Sequence, residues 1–113
     1  MSLFIYPVVK GNLEREIKDA PSIYCSYGDM TTLQEFMLWL NIIELDSDGC
    51  NFDTHKLQNE LDYCTFHKRD VIESIEEEYA NVNSYAGDLI DLFRQYEELL
   101  KFTVQGGYGL RWS

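Results

Sequence analysis

Residues 70–100 read DVIESIEEEYANVNSYAGDLIDLFRQYEELL. Two helices are written into this stretch. Val71, Ile72, Ile75 and Tyr79 recur at the spacing of one helix face, which predicts a helix over 70–79. Asn81-Val82-Asn83-Ser84 breaks the pattern, and Ser84 is a helix-capping residue type. Leu89, Leu92, Phe93, Tyr96, Leu99 and Leu100 resume the pattern and predict a helix over 85–100. Gly87 near its start lowers the propensity slightly. Two amphipathic helices joined by a short break point to a mainly helical fold and decide which way their polar sides face.

Those polar sides are acidic. Between Asp70 and Glu98 stand nine carboxylates and one base, Arg94, so this stretch holds −8 of the chain's −11 formal charge. On a helical wheel Asp88, Asp91, Gln95 and Glu98 lie opposite the apolar stripe of the second helix. Glu73, Glu76 and Glu77 do so on the first. Hardly any Lys or Arg stands at i+4 to relieve the repulsion. A solvated face normally mixes both signs, so the arrangement points to a purpose. Such a charge repels nucleic acid and anionic membrane and attracts a basic surface.

Working outward, Lys68 and Arg69 precede these helices, and Asp53 caps a further helix over 54–64 with Leu57, Leu61 and Cys64 inward. Asp46-Ser-Asp-Gly-Cys-Asn51 reads as a loop. Thr32 and Glu35 match a capping box, and Leu33, Phe36, Met37 and Leu40 predict a helix over 33–43, with Trp39, Ile42 and Ile43 widening its apolar arc. Residues 3–9 read as a strand with Pro7 at an edge or a bulge. Asn12 is the expected cap of a short helix over 13–18, ended by Pro21. Residues 23–27 read as a second short strand or as an irregular segment, closed by Gly28. Residues 101–112 read as a hairpin about Gln105-Gly106-Gly107. The sum is one α+β domain over 1–113, with four to five helices packed on a small antiparallel sheet built from the N-terminal strand and the C-terminal hairpin.

Eight Tyr, six Phe and two Trp supply a core, which excludes a disordered acidic chain. Three cysteines, Cys25, Cys50 and Cys64, form no even disulfide framework and suit reduced thiols in the cytoplasm. The first residues lack a basic n-region, and no apolar run reaches the length of a bilayer span.

The chemical motifs are weak. Glu44, Asp46, Asp48 and Gly49 match the first half of a calcium loop, but His55 stands where the bidentate glutamate belongs. Cys50, His55, Cys64 and His67 lack the paired-cysteine knuckle of a zinc site. Nothing surrounds Cys25 or Cys64 that resembles a nucleophile motif. No cofactor and no metal is expected, and no catalytic residue. The expectation is a small non-enzymatic protein whose face of Glu73, Glu76, Glu77, Asp88, Asp91 and Glu98, rimmed by Tyr79 and Tyr85, grips a basic protein partner such as a nuclease or toxin. Immunity-type and phage-encoded nuclease inhibitors are similar in size and charge, a likeness of physical type only. The alternative is an assembly module that self-associates through surplus apolar helix surface, Trp39 in particular.

Overall fold

The computed structural model describes residues 2–37, 42–45, 48–81 and 84–113, and over 12–16 the backbone alone. In chain order the elements are β1 (Ser2–Val9), β2 (Asn12–Glu16), β3 (Ile23–Ser26), α1 (Tyr27–Phe36), β4 (Gly49–Asn51), α2 (Thr54–Phe66), α3 (Lys68–Glu78), α4 (Tyr85–Gln105) and β5 (Gly109–Trp112). The class is α+β, as expected. The sheet runs β2-β1-β5-β4, with β3 also paired to β1, and every pairing is antiparallel. Leu3 and Ile5 of β1 join Ile23, Leu110 and Trp112 in one core with the apolar faces of the helices. Phe4 and Tyr6 alternate to the outer face of the sheet, their rings 4.9 Å apart.

β1 is an interior strand, so of the two positions expected for Pro7, an edge or a bulge, the edge is corrected. Phe4 and Ser113 exchange both backbone hydrogen bonds, at 2.9 and 3.0 Å. Phe4, Tyr6 and Val8 therefore turn their backbone groups toward β5, and Leu3, Ile5 and Pro7 turn theirs the other way. On that side β3 pairing stops at Ile5↔Ile23 and β2 pairing starts at Val8↔Glu16. Pro7 falls in the gap, where the ladder asks for no donor. The register irregularity follows it directly, between Val8 and Val9.

The helix expected over 13–18 is instead β2. Gly11, at φ +83°, reverses the chain straight after β1. The resulting ladder pairs backbone groups that so short a helix leaves orphaned. The helix expected over 33–43 is displaced toward the N-terminus. Ser26 caps α1 by accepting from the Asp29 amide at 3.0 Å, so β3 leads directly into the helix and Gly28 lies inside it. Thr32 is no cap: its hydroxyl donates to the Gly28 carbonyl one turn back. Trp39 and Leu40, with residues 46–47 of the calcium-like loop and residues 82–83 of the break, lie outside the described residues.

α2 and α3 form where the pattern places them, with Asp53 accepting from the amides of His55 and Lys56. Gly49–Asn51 forms β4 against β5, a strand where only loop was expected. A Cβ on Gly49 would come within 2.7 Å of the Trp112 indole, which donates to the Glu44 carbonyl at 2.9 Å.

α4 runs five residues past its expected end, so the first arm of the C-terminal hairpin is helical. The Gln105-Gly106-Gly107 sequence is a helix stop rather than a hairpin turn. The Tyr108 amide donates to Thr103 at 2.9 Å and the Gly107 amide to Val104 at 3.2 Å, with Gly107 at φ +70°. That is the Schellman pattern, and Phe102 stacks on Tyr108 as its apolar clasp.

Gly107→Ala puts a Cβ on a left-handed residue and is expected to cost about 1 kcal/mol. Gly87→Ala, in open space on α4, is expected to gain about 0.5 kcal/mol. Urea unfolding of both variants checks this. A Gly107 variant as stable as the parent contradicts the stop.

Candidate functional site

α4 is the axis of the site. It packs on α1, α2, α3 and the sheet, burying Leu89, Leu92, Phe93, Tyr96, Leu99 and Leu100. Burial of that face leaves Asp88, Asp91, Arg94, Gln95 and Glu98 exposed. Tyr85 and Asp88 line a cavity of about 170 Å³ with Tyr24, Cys25, Asp29 and Gln95. Asp91 and Glu98 line a second, more open one of about 390 Å³ with Pro21, Ser22, Arg94 and Gln95. Gln95 lines both, so the two lie next to each other along the side of α4 that faces the β3 segment, and together they form the groove of this site. A third cavity, of about 430 Å³, lies between Phe4, Tyr6 and the 17–22 turn. It holds none of the residues singled out from sequence.

The groove thus gathers Asp29, Asp88, Asp91 and Glu98. Tyr85 donates to Asp29 at 3.3 Å, tying the start of α4 to the start of α1. Tyr79 packs edge-on against Tyr85 at 4.8 Å and reaches Phe36 at 6.0 Å. Both tyrosines are half-buried; Tyr85 lines the groove, whereas Tyr79, expected at its rim, lines neither cavity and braces the Tyr85 ring. Of the basic residues nearby, Lys101 stands 3.8 Å from Glu98.

Glu73, Glu76 and Glu77 are exposed on α3 and line neither cavity. Glu73 is engaged by Arg69 at 3.0 Å in an exposed pair of small energetic value. Asp70 stands 3.8 Å from His67. Sequence reasoning missed Tyr24, Asp29 and Ser22, which come from β3 and its flanks. The Ser26-x-x-Asp29 spacing was a readable cap signal for Asp29. Nothing local ties Tyr24 to α4.

Glu97 belongs inside. It is buried between α2, α3 and α4, bonded to Lys68 and approached by the Thr65 hydroxyl at 3.4 Å. Glu60 on α2 is only 1 % exposed. It accepts from the Tyr96 hydroxyl at 2.9 Å through Oε1, while Oε2 has no partner among the described residues. Desolvation pushes its carboxyl from 4.5 up to about 7, against the opposing Tyr96 hydrogen bond. Cys64, one turn on, is fully buried, and its thiol is raised by burial and then by Glu60 and Glu97.

Cys25 is half-buried in the groove, its thiol pushed up to about 11 by burial and by Asp29. A raised thiol is the reverse of nucleophile activation, and no histidine lines that cavity. Cys50 and His55 are exposed, whereas Cys64 is in the core. Among the described residues no three His, Cys, Asp or Glu side chains gather as a metal site requires. Among them also no helix is long and apolar enough to cross a membrane.

The fold and groove define a small acidic α+β domain with a carboxylate-lined cleft. No family model matches the chain, and no curated protein or solved structure matches it either.

Glu60 gives a pH prediction. Its raised folded value means that the native state holds a proton the unfolded chain releases between about pH 4.5 and 7. Stability therefore falls as pH rises through that window, by about 3 kcal/mol in full. Glu60→Gln removes the ionisation and keeps an acceptor for Tyr96. It is expected to stabilise the protein by about that amount at pH 8 and very little at pH 4.5, measured by chemical denaturation. An equal effect at both pH values contradicts the assignment.

Proposed function

We propose that this is a small non-enzymatic binding protein of the cytoplasm whose acidic groove docks on a basic protein. The favoured partner is a nuclease or other nucleic-acid-binding protein, inhibited in the manner of an immunity-type or phage-type antagonist. The observation that carries the reading is the pair of adjacent cavities along α4, one lined by Asp29 and Asp88 with Tyr24 and Tyr85, the other by Asp91 and Glu98. Carboxylates held on a rigid helix occupy positions that phosphates take on a cationic surface, and their field speeds encounter. Tyrosines add stiff contact area and accept cations on their ring faces. The three free cysteines fit a reducing compartment.

The groove, rather than α3, is the primary contact in this reading. A basic partner is to be captured from the native host, and the first candidate is a nuclease or toxin encoded beside this chain. Its association rate is expected to fall steeply with salt. Asp88→Lys with Asp91→Lys slows association about tenfold or more, whereas Glu76→Lys with Glu77→Lys has the smaller effect. Salt-independent binding that both double variants leave unchanged removes the reading.

One observation favours the second reading, an assembly module. Phe66 at the end of α2 is 87 % exposed and meets the His67 ring edge-on, which in turn packs on Tyr63. An oligomer seen by light scattering and abolished by Phe66→Ser supports that reading instead.

A further inference from the structure

The open edge of β3 runs along the acidic groove. Because Phe4 faces β5, Leu3 and Ile5 face β3, and their partners Cys25 and Ile23 face back. Tyr24, between them, turns its N–H and C=O away from the sheet. Among the described residues no strand lies beyond β3, and no hydrogen bond to the Tyr24 backbone crosses that edge. α4 tracks the same edge in the opposite sense: Asp88 lies beside Tyr24 and Cys25, and Glu98 beside Pro21 and Ser22.

The dimensions match. Asp88 to Glu98 covers roughly 15 Å along the helix axis. An extended segment covers that length in about five residues, with side chains on one side every ~6.6 Å. A strand added ~4.8 Å outside β3 would lie in the groove. Its side chains would alternate between the carboxylates of α4 and the outer face, where Tyr24 is 72 % exposed and packs on Phe4.

We propose that the groove takes an extended partner segment carrying Lys or Arg at alternate positions, which adds to the sheet as a strand on β3. This rests on the reading of the partner as basic and specifies how it is held: main-chain bonds supply a share of affinity, and alternate charges supply selectivity. Charge selects the occupant. A second copy paired edge to edge would bring two rows of the same carboxylates together, and a nucleic-acid strand or anionic surface meets the same repulsion.

Two synthetic peptides test it on the full chain. Acetyl-Val-Arg-Val-Arg-Val-Arg-Val-amide can pair as a strand. The same peptide with alternate amides N-methylated keeps its charge and loses its donors on one edge. The first is expected to bind at least about tenfold tighter, to shift the Tyr24 amide in nitrogen-15 correlation spectra, and to weaken with Asp91→Asn. Equal binding of the two peptides, with shifts at Asp88 and Asp91 and none at Tyr24, overturns strand addition and leaves the basic-partner reading standing. No binding of either peptide at low salt overturns both. A dimer that shields Tyr24 without peptide overturns the proposal in favour of self-pairing.

Discussion

Burial of one face of α4 is the constraint on which the rest of the molecule depends. The helix runs through the centre of the helical layer and touches the sheet at β1, β3 and β5. Leu89, Leu92, Phe93, Tyr96, Leu99 and Leu100 lock its rotation. Each such burial is worth roughly 1.5–3 kcal/mol. Like charges one turn apart, such as Asp88 and Asp91, cost roughly 0.2–0.5 kcal/mol. The core therefore wins by a wide margin, and the carboxylates face outward together whatever their mutual repulsion. The same rotation that buries Leu92 sets Asp91 and Gln95 beside the β3 segment.

The interior of the α2–α4 contact carries a second set of acids with another role. Glu97 stands in the acidic run, yet it is enclosed and bonded to Lys68. Removing Lys68 would strand the buried Glu97 charge, whereas Lys68 itself is nearly half exposed, so the pair ties α3 to α4 at the buried carboxylate. Glu60 gains one hydrogen bond from Tyr96, and its other oxygen is buried without a partner among the described residues. Its carboxyl is held neutral more readily than charged, which makes the α2–α4 seam the acid-favouring part of the fold.

Much of this was legible in the chain because it is local. The period of Leu89 to Leu100 and of Val71 to Ile75 yields α4 and α3, and Asp53 announces α2. The failures have a common cause. Residues 12–16 carry helical composition but are claimed by β1 once Gly11 turns the chain back. Thr32 looks like a cap, yet Ser26 caps first, because β3 must end there to stay in register with β1. The glycines at 106 and 107 suit a hairpin equally well until Tyr108 is seen to bond back to Thr103. The site divides in the same way. Asp88, Asp91, Glu98 and Tyr85 could be read from one helix. Tyr24 and Asp29 join them only through the packing of β3 and α1 on α4, about sixty residues away in sequence, and the α3 carboxylates fall outside the groove because nothing local sets the angle between two helices.

The arrangement rests on one register: β3 must offer Tyr24 outward and Cys25 and Ile23 inward, with α4 alongside. Amide hydrogen exchange in the free protein, residue by residue, tests it most directly. The amides of Ile23 and Cys25 are expected to exchange slowly, being bonded to β1, and that of Tyr24 quickly, as an open edge. Even protection across all three, or a protected Tyr24 between two fast neighbours, would contradict the register and dissolve the groove with it.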